Sequence, residues 1–484
     1  MKLAIYIILT ALSIVTIISY FKKNKILLLI GFLLLSMNYG AVFFHLLTEN
    51  QLTVGILDSI LETNYKEASS VITEYKSIVI FALASSFLSF YLSIKIKKEI
   101  DMKLIKAFFW LIFLYLSLLV GYFFYGKNNY RELEDFKETP AALGIYLYNK
   151  TPHPLSDLIY IITKSLEDKD RYSKKEEEKK TNPNIVRFKD AKSDTIIFVM
   201  GESSWKRRYS IYGYNVNTTP NMINLFKNNE SGCVLDGYAP ATITRDSIPI
   251  SFSFAKPNNY KPLTNEKSII ELAKIQGYKT YWISSQDING LYSSKYGYLT
   301  KSINDIKFTN FNDRKIANLL NEALKDNDEK KFIIIHLLGS HLPYNNFTPE
   351  DKKELINADN YDLTIHQTDK VISDIFNTLK EDKYSFSFIY TSDHGEVVNI
   401  GHGLLKGKSQ IEIPLVAYSN NNYDICNYYK KNTNGDGKIN ALVNKIVLLN
   451  MMGIDLKNDF IKDEISNGDI LKSDGTIVNY RDFK

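Results

Sequence analysis

Cysteine is scarce in this chain, which limits the covalent cross-links available to it. Two cysteines, Cys233 and Cys426, occur among 484 residues. They allow one disulfide at most, and only in an oxidising compartment. Because the two lie far apart in sequence, which by itself says nothing about contact, we expect them to remain unpaired.

Runs of basic residues interleaved with aromatic residues are also missing. The formal net charge of +5 is small for so long a chain, whereas nucleic-acid binders carry a concentrated basic footprint. We therefore predict no nucleic-acid partner. The lysines that flank hydrophobic segments have a sufficient explanation in membrane topology and anionic lipid.

Uninterrupted hydrophobic sequence, in contrast, is abundant near the amino terminus. Four runs are each close to the roughly 20 residues that a helix needs to cross a bilayer. They are Leu3 to Tyr20, Ile26 to Leu47, Ser77 to Ile94 and Leu104 to Tyr125. The first run ends in Phe21-Lys22-Lys23 rather than in a small-residue cleavage site, so we interpret it as a span and not as a signal peptide.

The loops between these spans differ in charge. Lysines follow the first and third runs, for example Lys22 and Lys97, whereas the segment between the second and third runs is acidic. By the positive-inside rule the lysine-rich loops are cytoplasmic, so everything after Tyr125 lies outside the cytoplasm. We predict a multi-pass protein of the cytoplasmic membrane with a large extracytoplasmic domain.

Two regions connect the spans to that domain. The acidic segment Thr48 to Lys76 has apolar residues at helical spacing, which predicts an amphipathic helix on the outer membrane surface; a connector packed on the extracytoplasmic domain explains it equally well. Short helices are predicted at Ala141 to Asn149 and Leu155 to Leu166, and the charged run Glu167 to Lys180 predicts a solvated linker. The predicted domains are a transmembrane domain at 1–125, a bridging region at 126–184 and a globular domain at 185–484.

Strand and helix patterns alternate in the globular domain. Short apolar runs at Thr195, Tyr281, Phe332 and Phe386 predict strands. Helical periodicity predicts helices between and after them, including Glu266 to Ile275 and Ile439 to Met452. This alternation predicts an α/β sandwich with a mostly parallel sheet. In such sheets ligands bind at the carboxyl ends of the strands.

Polar residues follow several of these strands directly. The predicted strands lead into Gly201-Glu202, into Ser284-Ser285-Gln286, into Gly339-Ser340-His341 and into Asp393-His394. Because carboxyl ends of parallel strands meet at one edge of a sheet, we expect these residues to converge. Glu202, Asp393 and His394 offer oxygen and nitrogen ligands suited to zinc or manganese, with an open position typical of catalysis. A polar loop without metal is the alternative.

Histidine and threonine supply the remaining candidates. His336 falls in a strand and His366 in a predicted helix, so both are interpreted as core or supporting residues. His341 and His402 lie beside glycines in loops, where the backbone can approach a substrate; a buried structural histidine is the alternative for each.

A nucleophile is predicted at Thr244, near the amino end of a predicted helix, where backbone amides favour a phosphoryl anion. A hydroxyl bound to zinc loses its proton more easily. Thr242, Ser247 and a simple helix cap are competing interpretations.

Motifs spread over nearly the whole chain carry a family resemblance. They include Gly201-Glu202-Ser203-Ser204, Arg207-Arg208-Tyr209, Thr244-Arg-Asp-Ser247-Ile-Pro249, Gly339-Ser340-His341 and Ser392-Asp393-His394-Gly395-Glu396. In this order and spacing they resemble the membrane-bound phosphoethanolamine transferases of Gram-negative bacteria, which belong to the alkaline phosphatase/sulfatase superfamily. The resemblance implies an α-helical transmembrane domain in the inner membrane and a periplasmic α/β, sulfatase-like sandwich.

The resemblance also implies a reaction and a site. Phosphoethanolamine would pass from phosphatidylethanolamine to Thr244 and then to lipopolysaccharide at the bilayer. Zn²⁺ would be held by residues matching the family's ligands, namely Glu202, Thr244, Asp393 and His394. His341 and His402 match its substrate-side histidines. Because Trp282-Ile-Ser-Ser-Gln286 is similar to members that modify core sugars such as heptose, a core acceptor is favoured over lipid A.

Two further functions are weighed against this one. A phosphoglycerol transferase or phosphodiesterase of the same superfamily would act on an envelope glycan. A catalytically inactive, lipid-binding membrane protein would need no nucleophile. A sulfatase activity is not expected, since no Cys/Ser-x-Pro-x-Arg segment marks a formylglycine position.

Overall fold

The protein divides into two compact units. The computed structural model describes residues 24–62, 75–95, 102–125, 140–171, 179–286, 295–381 and 384–484, together with residues 14, 69, 72 and 73. One unit comprises Met1–Asp170 with Ser473–Gly475, and the other comprises Arg171–Lys472 with Thr476–Lys484. The domain boundaries expected from sequence stay a prediction.

The described residues of the first unit form mainly helices. Its helices are α1 (Lys25–Thr48), α2 (Val54–Glu62), α3 (Lys76–Lys95), α4 (Met102–Tyr125), α5 (Pro140–Tyr148) and α6 (Leu155–Arg171). Helix α1 begins where the Asn24 side chain accepts hydrogen bonds from the amides of Ile26 and Leu27. Helices α1 and α3 pack together, with the Tyr39 hydroxyl 2.7 Å from Ser89 Oγ.

Two of the described helices, α1 and α3, are long and apolar enough to cross a membrane. They match the second and third predicted spans. Helix α4 covers the fourth, and its apolar stretch is Trp110–Tyr125. The first predicted span lies outside the described residues apart from Ile14, so the number of four spans stays a prediction.

The connecting segments differ in part from expectation. Helix α2 occupies part of the predicted amphipathic segment Thr48 to Lys76, of which much lies outside the described residues. Helix α6 continues to Arg171, so the charged run predicted to be a linker from Glu167 begins as helix. Glutamate, lysine and arginine are good helix formers, which accounts for the extension.

The second unit is built on an eight-stranded sheet with two small sheets beside it. The strands are β1 (Ile185–Phe188), β2 (Thr195–Gly201), β3 (Gly232–Tyr238), β4 (Lys279–Ser284), β5 (Asp305–Phe308), β6 (Lys331–His336), β7 (Phe386–Ser392), β8 (Glu412–Ser419), β9 (Ile439–Asn440), β10 (Ile454–Leu456), β11 (Asp469–Leu471) and β12 (Ile477–Asn479). The large sheet has the order β5-β4-β6-β2-β7-β8-β3-β9, while β1 pairs with β10 and β11 with β12.

Strand direction confirms the predicted, mostly parallel sheet. Strands β5, β4, β6, β2 and β7 run parallel to one another. Strand β8 is antiparallel to both of its neighbours, and β3 and β9 return to the common direction. The carboxyl ends of β6, β2 and β7 are therefore adjacent at one edge of the sheet.

Helices cover both faces of this sheet. They are α7 (Pro220–Met222), which continues as a π-helical turn over Ile223–Lys227, α8 (Thr244–Ser251), α9 (Lys261–Asn265), α10 (Ile269–Ile275), α11 (Lys295–Thr300), α12 (Ile316–Leu324), α13 (Pro349–Glu354), α14 (Asn360–Glu381), α15 (Ile425–Lys431), α16 (Leu442–Met451) and α17 (Asn458–Ser466). Short 3₁₀ turns lie at Lys206–Arg208, Ser210–Tyr212, Asp313–Lys315 and Lys408–Gln410.

Strand β2 shows why its sequence is apolar throughout. Ile196 and Phe198 belong to the hydrophobic core on one face of the sheet, and Ile197 and Val199 to the core on the other. A strand buried on both faces has no solvent side, so apolar residues run without alternation.

Two helix boundaries differ from the sequence prediction for identifiable reasons. The helix expected from Glu266 begins at Ile269, because Ser268 and Glu271 form a reciprocal capping box at its start. The helix expected from Ile439 begins at Leu442, because Ile439 and Asn440 pair with β3 as strand β9.

The expectation that the cysteines remain unpaired is wrong. Cys233 on β3 and Cys426 in α15 form a disulfide, with their Cα atoms 5.7 Å apart. Cys233 lies opposite Ala417 of β8, and α15 follows β8 closely. Each sulfur lies 3.8 Å from the Ala417 carbonyl oxygen. Sheet pairing thus closes a separation of 193 residues.

Candidate active site

The predicted site residues gather at the carboxyl ends of three neighbouring strands. Glu202 follows β2 directly and Asp393 follows β7 directly. The pairing of Gly201 with Ser392 places these two carboxylates side by side. Both are buried, as is His394. Strand β6 ends alongside them at His336.

Thr244, the first residue of α8, completes this group. Its Oγ1 lies 3.2 Å from Glu202 Oε2 and 3.1 Å from His394 Nε2. His394 Nε2 is in turn 3.3 Å from Asp393 Oδ2. Glu202, Asp393 and His394 each offer one ligand atom, and these three atoms lie within 4.8 Å of one another. The structure therefore brings together all four residues predicted as metal ligands.

Backbone groups orient Asp393 and His394, the two predicted ligands that follow β7. His394 Nδ1 lies 2.8 Å from the Gly395 carbonyl oxygen, so Nδ1–H donates there and the Nε2 lone pair faces the cluster. Asp393 Oδ1 accepts hydrogen bonds from the amides of Ser203 and His394. Asp393 Oδ2 is buried and has no hydrogen-bond partner among the described residues.

The two buried carboxylates perturb one another. Burial raises the pKa of Asp393, and the charge of Glu202 raises it further. Burial acts in the same direction on Glu202, but the neighbouring His336 and the charges of His394 and His341 outweigh it, so the pKa of Glu202 lies well below its ordinary value. A divalent cation would relieve the repulsion between the two carboxylates. Two carboxylates and one imidazole nitrogen fit such an ion, and one of the carboxylate oxygens, Asp393 Oδ2, is the buried acceptor without a hydrogen-bond partner.

Two further residues hold Glu202: Gln286, which was expected to converge here from the end of its strand, and Ser203, to which the sequence analysis gave no role. Gln286 Nε2 donates to Glu202 Oε2 at 2.9 Å and to the Leu337 carbonyl oxygen at 2.9 Å. Ser203 Oγ donates to Glu202 Oε1 at 2.8 Å. Both residues lie in motifs quoted for the family resemblance, which was the available signal. Their contacts depend on three-dimensional placement that those motifs do not encode.

His341 and His402 lie beside this cluster, as expected. The rings of His394 and His402 have centroids 4.2 Å apart, and those of His341 and His402 are 5.9 Å apart. Both residues are partly exposed. Gly339 makes the approach of the His341 loop possible, because it adopts φ +54 and a Cβ there would lie 2.8 Å from the Glu202 carbonyl oxygen.

The other two histidines of this region take supporting positions. His336 is fully buried, and its Nε2 is 3.7 Å from Glu202 Oε2. His366 lies in α14 and pairs with Glu354 at 2.8 Å. Both side chains are buried, whereas those of His341 and His402 are partly exposed.

Among the hydroxyls weighed as nucleophiles, the geometry favours Thr244. Ser247 is fully buried, and its Oγ donates to the Ala241 carbonyl oxygen. Thr242 is also fully buried. Thr244 is partly exposed, contacts Glu202 and His394, and opens a helix whose first-turn amides and dipole favour an anion.

A hydroxyl set against two carboxylates and an imidazole, at the carboxyl edge of a mostly parallel sheet, defines a class of protein. These are enzymes that pair a divalent metal with a side-chain nucleophile for group transfer. Within that class, the chain belongs to the sulfatase family, whose model matches residues 194–446.

Known relatives agree with this assignment. The chain is 25% identical over 424 residues to the phosphoethanolamine transferase EptC of Escherichia coli O18:K1:H7, covering 78% of this chain and 70% of the relative. This match confirms the predicted resemblance to phosphoethanolamine transferases, and it also confirms the prediction that the protein is an enzyme.

Solved structures share the fold. The integral membrane lipooligosaccharide phosphoethanolamine transferase A of Neisseria meningitidis gives a TM-score of 0.66 at 17% identity, over 90% of this chain and 86% of its own. The periplasmic domain of Escherichia coli EptC, solved in complex with Zn, gives a TM-score of 0.54 at 20% identity, over 62% of this chain and 97% of its own. The predicted fold class, membrane helices followed by an alkaline phosphatase/sulfatase-like sandwich, is confirmed.

Proposed function

We propose that this enzyme transfers phosphoethanolamine from phosphatidylethanolamine to lipopolysaccharide, with a core sugar such as heptose as the favoured acceptor. The observation that carries the proposal is the contact of Thr244 Oγ1 with Glu202 and His394, 3.2 and 3.1 Å away. The name of the EptC relative supports the transferred group. The sequence Trp282-Ile-Ser-Ser-Gln286 supports the core acceptor.

Zn²⁺ is the proposed cofactor, and Glu202, Thr244, Asp393 and His394 would hold it. The oxygen and nitrogen donors and the orphaned Asp393 Oδ2 support a metal, and the zinc complex of the EptC domain supports zinc in particular. When bound, zinc lowers the pKa of a hydroxyl and offsets negative charge on phosphoryl oxygens.

Thr244 carries the group between the two half-reactions. Its Oγ forms a bond to the donor phosphorus while the bond from phosphorus to the glycerol oxygen breaks, so diacylglycerol leaves and Thr244 is modified with phosphoethanolamine. The oxygen of an acceptor hydroxyl then forms a bond to the same phosphorus while the bond from phosphorus to Thr244 Oγ breaks, so Thr244 Oγ returns to the state in which it attacked the donor. The amino terminus of α8 favours the anionic phosphoryl group at this position.

His341 and His402 move the protons in this scheme. One imidazole gives a proton to the departing glycerol oxygen, which would otherwise leave as a costly alkoxide. An imidazole then accepts the proton of the attacking acceptor hydroxyl. Their partial exposure beside the buried cluster supports a position on the substrate side.

The proposed location is the inner membrane, with the domain at 185–484 in the periplasm. The apolar helices α1 and α3 support membrane insertion, and the lysine-rich loops support the orientation. The Cys233–Cys426 disulfide supports an oxidising compartment. The lipid donor and the lipopolysaccharide acceptor both belong to that envelope.

Mass spectrometry of lipopolysaccharide tests the proposal. Lipid A and core fragments are analysed separately from cells with the intact protein, with Thr244→Ala, with the control Thr433→Ala in a partly exposed loop, and without the gene. We expect a phosphoethanolamine increment on the core with the intact protein and Thr433→Ala, and none with Thr244→Ala or without the gene.

The outcomes separate the parts of the proposal. An increment on lipid A would show that the acceptor is wrong while the transfer is right. An increment that survives Thr244→Ala would reject the nucleophile. A phosphoglycerol increment in its place would reject the donor.

A further inference from the structure

The buried carboxylate of Glu396 lies next to His402, and each of its two oxygens has a hydrogen-bond partner. His402 Nδ1 is 3.0 Å from Glu396 Oε2. The Tyr344 hydroxyl donates to Glu396 Oε1 at 2.9 Å. The same hydroxyl accepts a hydrogen bond from the Asn399 amide at 3.1 Å. Glu396 is fully buried and Tyr344 nearly so, so the three side chains form a chain of contacts that leads from the interior to the site.

The backbone leaves Glu396 little freedom. Gly395 donates to the Gln410 carbonyl oxygen at 2.7 Å, and a Cβ on Gly395 would lie 2.0 Å from the Ser409 carbonyl oxygen. Any side chain at Gly395 would therefore displace the segment that carries Glu396.

The loop that follows is closed on itself. The amides of Ile400 and Gly401 both donate to the Val397 carbonyl oxygen, and the Val397 amide donates to Gly401. Gly401 adopts φ +122 and Gly403 adopts φ +70, a region that glycine reaches without strain. This turn returns the chain so that His402 meets Glu396 six residues after it.

We infer that Glu396 and Tyr344 are positioning residues that fix the ring orientation and the tautomer of His402 for proton transfer, an inference that rests on the proposed function. Nδ1–H donates to Glu396, so Nε2 is the nitrogen left to exchange a proton with substrate. Tyr344 holds the carboxylate at its second oxygen, which prevents it from rotating away. A carboxylate that orients a catalytic imidazole through its far nitrogen is a general device in acid–base catalysis.

The tetrapeptide Asp393 to Glu396 contributes residues both to the metal-type cluster and to the positioning of His402. Asp393 and His394 face the metal-type cluster, and Glu396, two residues later, faces the proposed proton-transfer histidine. A purely structural role for Glu396 would be to neutralise a buried charge. Such a role predicts loss of stability or of metal, and not a defect that depends on the leaving group.

Kinetics with two donors distinguish these roles. The full-length protein is purified in detergent as wild type, Glu396→Gln, Tyr344→Phe and the control Tyr429→Phe. Tyr429 is a buried tyrosine whose hydroxyl lies 2.8 Å from Asn444 Oδ1, so its replacement removes a comparable hydrogen bond elsewhere. Tyr344→Phe keeps the ring that packs edge-on against Tyr361 at 5.0 Å, so it remains informative if Glu396→Gln folds poorly.

With phosphatidylethanolamine as donor, we expect kcat to fall about 10- to 100-fold in Glu396→Gln and about tenfold in Tyr344→Phe, the range seen when an outer partner of a functional histidine is lost. KM and bound zinc should stay within about twofold of wild type, since neither residue is assigned to hold the donor or the metal. Tyr429→Phe should match wild type.

The second donor is the p-nitrophenyl ester of phosphoethanolamine, whose phenolate leaves without needing a proton. The release of p-nitrophenol in the first turnover should be reduced less than about threefold in both variants, because the assisted proton transfer is no longer required. Equal losses with both donors, or bound zinc that falls in parallel with kcat, would overturn the inference. Wild type that releases no diacylglycerol would instead reject the proposed function, and the inference would fall with it.

Discussion

At the scale of single residues, the feature with the widest consequences is the pair of buried carboxylates. Glu202 and Asp393 follow the ends of two neighbouring strands, and both are buried. Burial and the charge of Glu202 raise the pKa of Asp393. In the metal-free protein this shift makes stability depend on pH.

The direction of that dependence follows from proton linkage. A carboxyl whose folded-state pKa is raised contributes stability that is full below its unfolded pKa, about 4, and is lost as pH rises through the folded pKa. We expect the unfolding free energy of chelated protein to fall across this window with a slope of up to about 1.4 kcal/mol per pH unit. Urea denaturation at pH 5, 7 and 9 measures it.

Asp393→Asn should flatten that slope and weaken zinc binding at the same time, because the amide removes both the titrating group and a charged ligand. The exposed Asp190→Asn serves as the matched control and should change neither. A variant that kept the wild-type slope would show that another buried group is responsible.

The sequence was sufficient to predict which residues follow the ends of the strands, but not which side chains contact each other there. Glu202, Asp393 and His394 could be predicted because strand ends in a parallel sheet converge whatever the details. Gln286 was expected near Glu202 for the same reason. The contact of Tyr344 with Glu396 could not be predicted, because it depends on the path of two loops. Without the family resemblance, Thr244 was one of several candidate hydroxyls; the resemblance selected it, and its partial exposure distinguishes it from the buried Ser247.

At the scale of secondary-structure elements, a side chain of one helix holds the start of another. Asp369 of α14 accepts hydrogen bonds from the Asn221 amide at 3.0 Å, from Asn221 Nδ2 at 2.8 Å and from the Met222 amide at 2.7 Å. These donors belong to the first turn of α7, and a negative charge there is favourable. Burial raises the pKa of Asp369 to about 6, although these hydrogen bonds oppose the shift.

Asp369→Ala should lower the unfolding free energy by about 3 kcal/mol, because two backbone amides lose their acceptor in a buried place. Asp374→Ala, an exposed position on the same helix, should change it by less than about 0.5 kcal/mol. Urea denaturation of the full-length protein compares the two. A loss for Asp369→Ala as small as that of the control would mean that the α7 amides find water instead.

The elements themselves were predictable to different degrees. Strands β2, β4, β6 and β7 are apolar on both faces and stood out in the sequence. Strand β3 was not predicted, because glycine, cysteine and aspartate interrupt its apolar pattern. The two residues of β9 were predicted to be the start of the helix that follows them. The reversed direction of β8 leaves no mark in its sequence, since apolar content is the same either way along the chain.

At the scale of the whole molecule, the disulfide constrains the catalytic unit. It links the start of β3 to α15, and because β3 runs in the common strand direction, Cys233 lies at the amino-end edge of the sheet, opposite the edge that carries Thr244 and Glu202. We therefore expect the disulfide to affect the stability of the protein and not its catalytic activity.

Replacing both cysteines by serine, Cys233→Ser with Cys426→Ser, should lower the unfolding free energy by about 2 to 4 kcal/mol while the folded molecules keep their transfer rate. Reductant should shift the denaturation midpoint of wild type and leave that of the double variant unchanged. A midpoint that reductant moves equally in both would show that the shift does not come from this bond.

The distance along the chain between the ends of β2 and β7 governs when the enzyme can become active. Glu202 and His394 meet only after β6 and β7 have both joined β2, so every fragment that stops short of His394 lacks part of the ligand set. For a domain proposed to fold outside the cytoplasm, the ion cannot be loaded during synthesis and must be captured after export. For the proposed zinc site, the supply of zinc in the cell envelope, rather than in the cytosol, would then set how much of the protein is catalytically competent.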